Sequence, residues 1–132
     1  MTDTHGAVFW TELMTRNVDA AKDYYGKVCG WTFTSVPMGP GDPDYVLGMK
    51  GERPIVGIMD MNESSDDETA GPFWMSYFAV DDVDAAVNET VALGGTLKRE
   101  PFEVPDTGRI AIVTDPTGAL LGLMTPVEMP DG

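Results

Sequence analysis

Few side chains in this sequence are equipped for chemistry, and the best placed of them is a glutamate. Phe9 to Thr15 is rich in aromatic and branched residues and suits a strand, so Trp10, Glu12 and Met14 share one face. A carboxyl group among apolar neighbours resists ionisation and can exchange protons, which is the work of a general acid or base. The same face also suits a pocket wall that is mostly apolar with a few polar points. The plainer expectation puts Glu12 at the lip of the sheet, facing water, because acids are seldom buried. A second stretch, Phe73 to Val80, aligns Met75, Tyr77 and Ala79, with the Tyr77 hydroxyl as the polar point. Trp74 has the opposite parity and is expected in the core behind that strand. Arg109, just after Thr107-Gly108, has two readings: it reaches an anionic ligand, or it stands solvated at a strand end.

Nothing in the sequence is spaced like a tight metal site. The one histidine, His5, lies in the N-terminal tail. The one cysteine, Cys29, lies at the end of a predicted helix, where a small buried hydrophobe is the usual role. A single cysteine also excludes an internal disulfide, so a cytoplasmic location is expected. Residues Met1–Gly6 lack the basic and apolar pattern of a signal peptide. No apolar run approaches the roughly 20 residues that cross a bilayer. The net charge of −14, from 22 acids against 8 bases, argues against nucleic acid and anionic membranes as partners.

The elements that position these residues follow from an internal repeat. A shift of 65 residues lays Val18-Asp19-Ala20-Ala21 on the identical Val83-Asp84-Ala85-Ala86, and Gly30 on Gly95. The same shift lays Ile55-Val56-Gly57-Ile58-Met59 on Leu120-Leu121-Gly122-Leu123-Met124. In each half a strand leads into a helix. Asn17 and Asp82 suit the N-cap, Asp19 and Asp84 complement the helix dipole, and Gly30 and Gly95 suit a left-handed helix end. Val18, Ala21, Tyr25 and Val28 recur at helical spacing, as do Val83, Val87 and Val91. Three strands then follow each helix. They are expected near Trp31–Val36, Tyr45–Lys50 and Pro54–Met61, and near Thr96–Glu103, Arg109–Thr114 and Ala119–Thr125. The fold class is α+β: one domain over 1–132, with a βαβββ module at about 7–61 and another at about 73–126. Between them, residues 62–72 hold four acids and no base, which reads as a solvated linker or a lid.

Paired βαβββ modules with these local residues resemble the vicinal oxygen chelate superfamily, the group of glyoxalases, bleomycin resistance proteins and ring-cleaving dioxygenases. Asn17 through Tyr25 with Gly30-Trp31 is similar to that group's first helix, and Val80 through Gly95 to its second. Asp115-Pro116-Thr117-Gly118 is similar to its last hairpin. The resemblance implies a cupped mixed sheet with a divalent metal inside, held by His or Glu from the first and last strands of each module. Carried onto this sequence, those positions are Trp10, Gly57, Met75 and Gly122. Tryptophan and glycine offer no ligand atom, and a thioether suits such ions poorly. No metal and no other cofactor is therefore expected.

The cup would instead be lined by Trp10 and Glu12 with Gly57 and Met59 from the first module. Met75, Tyr77, Gly122 and Met124 would line it from the second, with Arg109 at the rim. The glycines would leave space for a ligand to approach the backbone. The methionines and Trp10 have a second reading, as filling of a second core. The expected function is metal-independent binding, a homodimer that sequesters or senses a small hydrophobic or aromatic ligand. The alternative is a metal-free lyase, isomerase or hydrolase with Glu12 as acid or base.

Overall fold

The computed structural model describes residues 4–37, 40, 44–61, 71–104 and 107–127. In order these form β1 (Val8–Thr15), α1 (Val18–Cys29), β2 (Thr32–Val36), β3 (Tyr45–Lys50) and β4 (Arg53–Asp60). The pattern then repeats as β5 (Phe73–Ala79), α2 (Val83–Ala92), β6 (Thr96–Val104), β7 (Gly108–Thr114) and β8 (Leu120–Pro126). The βαβββ order therefore occurs twice, as the repeat predicts. Of the acidic segment expected at 62–72, all but Gly71 and Pro72 lies outside the described residues.

Contacts divide the chain into two compact units. One runs from Trp10 to Met75; the other joins the N-terminal residues up to Phe9 with the stretch from Ser76 onward. Within the second unit, Gly6 N–H donates to the Ala79 carbonyl at 2.7 Å, and Ala79 N–H to that of Ala7 at 2.9 Å.

Each half has the same sheet order. The first runs β2-β3-β4-β1, with β1 parallel to β4 and the other pairs antiparallel. The second runs β6-β7-β8-β5, with β5 parallel to β8. The registers also obey the repeat: Glu12 pairs with Gly57 as Tyr77 pairs with Gly122, and Met14 with Met59 as Ala79 with Met124.

Both helices start as their caps dictate. The Asn17 side chain accepts from Ala20 N–H at 2.9 Å, and that of Asp82 from Ala85 N–H at 3.2 Å. Such caps satisfy donors that the first turn leaves open, each contributing about 1 kcal/mol. The first helix closes on Gly30 in the left-handed conformation, φ 76°. The second differs from expectation, because the left-handed residue is Gly94, at φ 101°. Gly95 answers a packing need instead: a β-carbon there would collide with the Thr114 carbonyl and with Thr90.

One face of each helix covers its sheet. In the first half Leu13, Val46 and Ile58 are buried beneath Val18, Ala21 and Tyr25 of α1. In the second, Val83 and Val87 of α2 close over Ala111, Val113 and Leu123. The final apolar residues expected on these stripes, Val28 and Val91, are exposed; they lie a turn beyond the residues that meet the sheet. Cys29, expected as a buried hydrophobe, is exposed at the same helix end. Trp74, expected in the core, is instead exposed, at 39%. It stands edge-on to Tyr25 at 5.5 Å and donates from Nε1 to the Tyr25 hydroxyl at 3.2 Å. Tyr25 in turn stacks on Trp31 at 5.1 Å.

Candidate functional site

Leu13 faces α1, so its neighbour Glu12 must face the other way, onto the side of the first sheet opposite α1. There the structure corrects the solvent-facing expectation: Glu12 is buried, at 6% exposure. A carboxylate taken out of water needs hydrogen bonds. Tyr45, the first residue of β3, supplies one, its hydroxyl donating to Glu12 Oε2 at 2.5 Å. Trp10 Nε1–H donates to the same hydroxyl oxygen at 3.0 Å. The result is a short relay from indole to phenol to carboxylate, built on β1 and β3.

Tyr45 lies across β4 at Gly57. A β-carbon on Gly57 would collide with the Tyr45 hydroxyl and its ring carbon. The expected open space above this glycine is thus taken by a tyrosine. Sequence reasoning missed Tyr45, although a signal existed. Leu47 pairs with Gly57, and alternation along β3 puts Tyr45, Leu47 and Met49 on the face of Glu12. Around the relay, Trp10, Met14, Leu47, Ile55 and Met59 stay half-buried.

The corresponding face of the second module is closed. Met75, Tyr77, Ile110 and Met124 are all buried, Met124 at 2% exposure. Gly122 leaves no gap either, because the Tyr77 ring fills the place of its β-carbon. Here the second reading of the methionines, as core filling, fits their burial.

Arg109 requires a correction. It shares the parity of Ala111 and Val113, which pack under α2, so it lies on the helix side. Its guanidinium grips the Asp84 carboxylate through Nε at 2.9 Å and Nη2 at 3.0 Å, and Glu103 through Nη1 at 2.9 Å. Hydrogen bonding by Arg109 holds the Asp84 carboxyl below its ordinary range. The same bonds, from Asp84 first and then Glu103, push the Arg109 pKa up. The arginine is occupied within its own module and is neither solvated alone nor turned to an inner face. His5 is likewise engaged: its Nδ1 accepts from Asp81 N–H at 2.9 Å. In the last hairpin, Asp115 Oδ1 accepts from the Thr117 hydroxyl at 2.6 Å and from the Thr117 and Ala119 amides. The Thr117 bond leads the causes that lower the Asp115 pKa, and this fixes the turn rather than a site.

The donor set does not fit the metal that the resemblance implies. Trp10, Gly57, Met75 and Gly122 bring no hard ligand, and tyrosines cover both glycines. Among the described residues, no group of three or more His, Cys, Asp or Glu side chains is placed to hold an ion.

Comparison with known proteins supports the family on independent grounds. The chain is 36% identical over 118 residues to "Putative glyoxylase CFP32" of Mycobacterium tuberculosis, covering 89% of this chain and 45% of that protein. It is 34% identical over 120 residues to the anthracycline biosynthesis protein DnrV of Streptomyces peucetius, covering 90% of this chain and 41% of that one. The chain thus spans less than half the length of these relatives. In fold it is similar to methylmalonyl-CoA epimerase from M. tuberculosis, with a TM-score of 0.66, 18% identity, and 97% and 93% of the two chains covered. It is also similar to the hypothetical protein BH1468 from Bacillus halodurans, at a TM-score of 0.69 and 10% identity, covering 96% and 99%. A sequence model of the Glyoxalase/Bleomycin resistance protein/Dioxygenase superfamily matches residues 7–123, and the chain belongs to that superfamily.

Proposed function

We propose that this chain is a metal-independent binding protein of the superfamily, taking a small hydrophobic or aromatic ligand on the inner face of its first module. One observation carries the reading. Half-buried apolar and aromatic side chains surround a single buried carboxylate held in place by Tyr45. Such a face combines a wall that sheds water with a polar point that fixes orientation. The four positions where the superfamily keeps its metal ligands carry no hard donor here, which supports binding without a metal. The working unit is one domain that pairs as a homodimer in the cytoplasm. Its strong negative charge suits neither nucleic acid nor an anionic membrane.

The test is native mass spectrometry of protein purified from its host, followed by titration of whatever ligand is released. Glu12→Gln should weaken that ligand by about 1–3 kcal/mol, the range for one charged hydrogen bond. A protein that releases nothing and binds nothing from an aromatic panel refutes the reading. Sedimentation should report twice the chain mass; a monomer removes the dimer from the proposal.

A second reading, a metal-free enzyme, draws on the defined orientation of the Glu12 carboxylate and on the glyoxylase name of a relative. Under it, Glu12→Gln leaves binding nearly intact and slows turnover by about 10²–10⁴-fold. The two readings therefore part on one variant.

A further inference from the structure

We infer that Tyr45 is a built-in, displaceable occupant of a niche for an aryl hydroxyl group, its phenol standing where the phenolic end of a ligand sits once Tyr45 swings away. This rests on the binding role proposed for the first module. Three groups shape the niche. Gly57 supplies a bare floor, since any β-carbon there would collide with the Tyr45 hydroxyl. Glu12 Oε2 accepts one hydrogen bond, at 2.5 Å. Trp10 Nε1–H donates another, at 3.0 Å. A phenol matches this set, giving one hydrogen and accepting another on the same oxygen. An ammonium has no acceptor for the indole, and a carboxylate has no hydrogen to give Glu12. An aliphatic alcohol matches the bonds but lacks the flat ring that lies over the glycine.

Two features make Tyr45 a replaceable occupant rather than a fixed part of the core. It is only half-buried, at the first residue of its strand, so its side chain has a path to solvent. Tyr77, which covers Gly122 in the second module, is buried at 8% exposure. Replacement by a ligand phenol also exchanges like for like. Both hydrogen bonds are remade, and the ligand's apparent affinity is lowered only by the fraction of molecules in which Tyr45 is closed. The residue that the repeat places opposite Tyr45 is Ile110, so the second module has no such device.

The test uses p-cresol, which is the tyrosine side chain cut loose, and toluene, the same body without the hydroxyl. Both are titrated by calorimetry into wild type, Tyr45→Ala, and Tyr45→Ala with Glu12→Gln, with circular dichroism to confirm folding. Tyr45→Ala should bind p-cresol roughly 10-fold tighter than wild type, or better, because the competing closed state is gone. It should prefer p-cresol to toluene, and Glu12→Gln should abolish the preference. Equal p-cresol affinity in wild type and Tyr45→Ala overturns the inference, as does equal binding of the two probes by Tyr45→Ala. Should Tyr45→Ala fail to fold, Tyr45→Phe replaces it: the occupant then loses both hydrogen bonds, p-cresol affinity should rise, and an unchanged affinity overturns the inference. If wild type binds an aromatic ligand that Trp10→Ala abolishes, while Tyr45→Ala gains nothing, the displaceable tyrosine is refuted and the binding role stands. If neither wild type nor Tyr45→Ala takes an aromatic ligand, both fall together.

Discussion

In the first module the strand register sets Glu12 across from Gly57; in the second it sets Tyr77 across from Gly122. The same backbone frame thus carries two different faces on the side opposite its helix. Three substitutions within the repeat account for the difference. Where the first module has Trp10, Glu12 and Tyr45, the second has Met75, Tyr77 and Ile110. The first set makes hydrogen bonds to itself and leaves its neighbours half-buried; the second is buried throughout. On the helix side Ile58 and Leu123 hold matching places beneath their helices, although the helices cover them differently, with Tyr25 in the first half and Val87 in the second. The repeat keeps the backbone frame, and the first copy carries the relay of Trp10, Tyr45 and Glu12 on the face opposite its helix.

The largest expected effects test the conserved side of this comparison. Ile58→Ala and Leu123→Ala remove matched core side chains, and each should cost about 2–5 kcal/mol in urea unfolding. A large gap between the two would break the claim that these two matched positions are equivalent. Next come the glycines. Gly122→Ala drives a methyl into the ring of a buried tyrosine, and should cost about 1–3 kcal/mol. Gly57→Ala meets the hydroxyl and adjoining ring carbons of half-buried Tyr45, which can move, so its cost should be smaller. The reverse order would contradict a closed second face and a yielding first one. A smaller effect again isolates the relay. A double-mutant cycle between Glu12→Gln and Tyr45→Phe should give a coupling of about 1 kcal/mol. No coupling would leave the short contact without energetic weight.

How far the sequence spoke to these features depends on the range of the cause. Strand and helix order was legible because an offset of 65 residues and local alternation carry it, and both are written along the chain. The facing of Glu12 was legible for the same reason: parity needs only its neighbours. Its burial was not, since that depends on a hydroxyl brought from Tyr45 on another strand. The two glycines invited a false inference of open space, because what fills it arrives from a neighbouring strand in each case. Arg109 was misplaced although the parity of Ala111 and Val113 was available to put it under α2. With two adjacent glycines, local sequence did not say that Gly94 takes the left-handed place, and the need for a bare Gly95 comes from the distant Thr114 carbonyl.

The smallest expected effect concerns an interaction that the second module alone possesses. Arg109 binds Asp84 through two nitrogens, whereas the repeat places Asp44 and Asp19 at the matching positions of the first module. Two acids cannot form that clasp. Hydrogen bonding from Arg109 holds the Asp84 carboxyl below the usual carboxylate range in the folded protein. A depressed carboxyl stabilises the fold while it is ionised, so its contribution is present above its unfolded pKa and fades as pH falls through the lower, folded value. The pair stands in solvent, where such contributions are small and salt screens them. Asp84→Asn should therefore lower the unfolding midpoint slightly at pH 6 and low salt. The gap from wild type should shrink in 1 M salt, where the screening length is about 3 Å. It should also close as the pH is taken below the Asp84 range. Asp19→Asn, its counterpart in the first module, should show a smaller loss at pH 6, that of the helix dipole alone. An equal loss from both variants would mean that the first-turn acids act through the helix dipole alone and that the clasp contributes nothing.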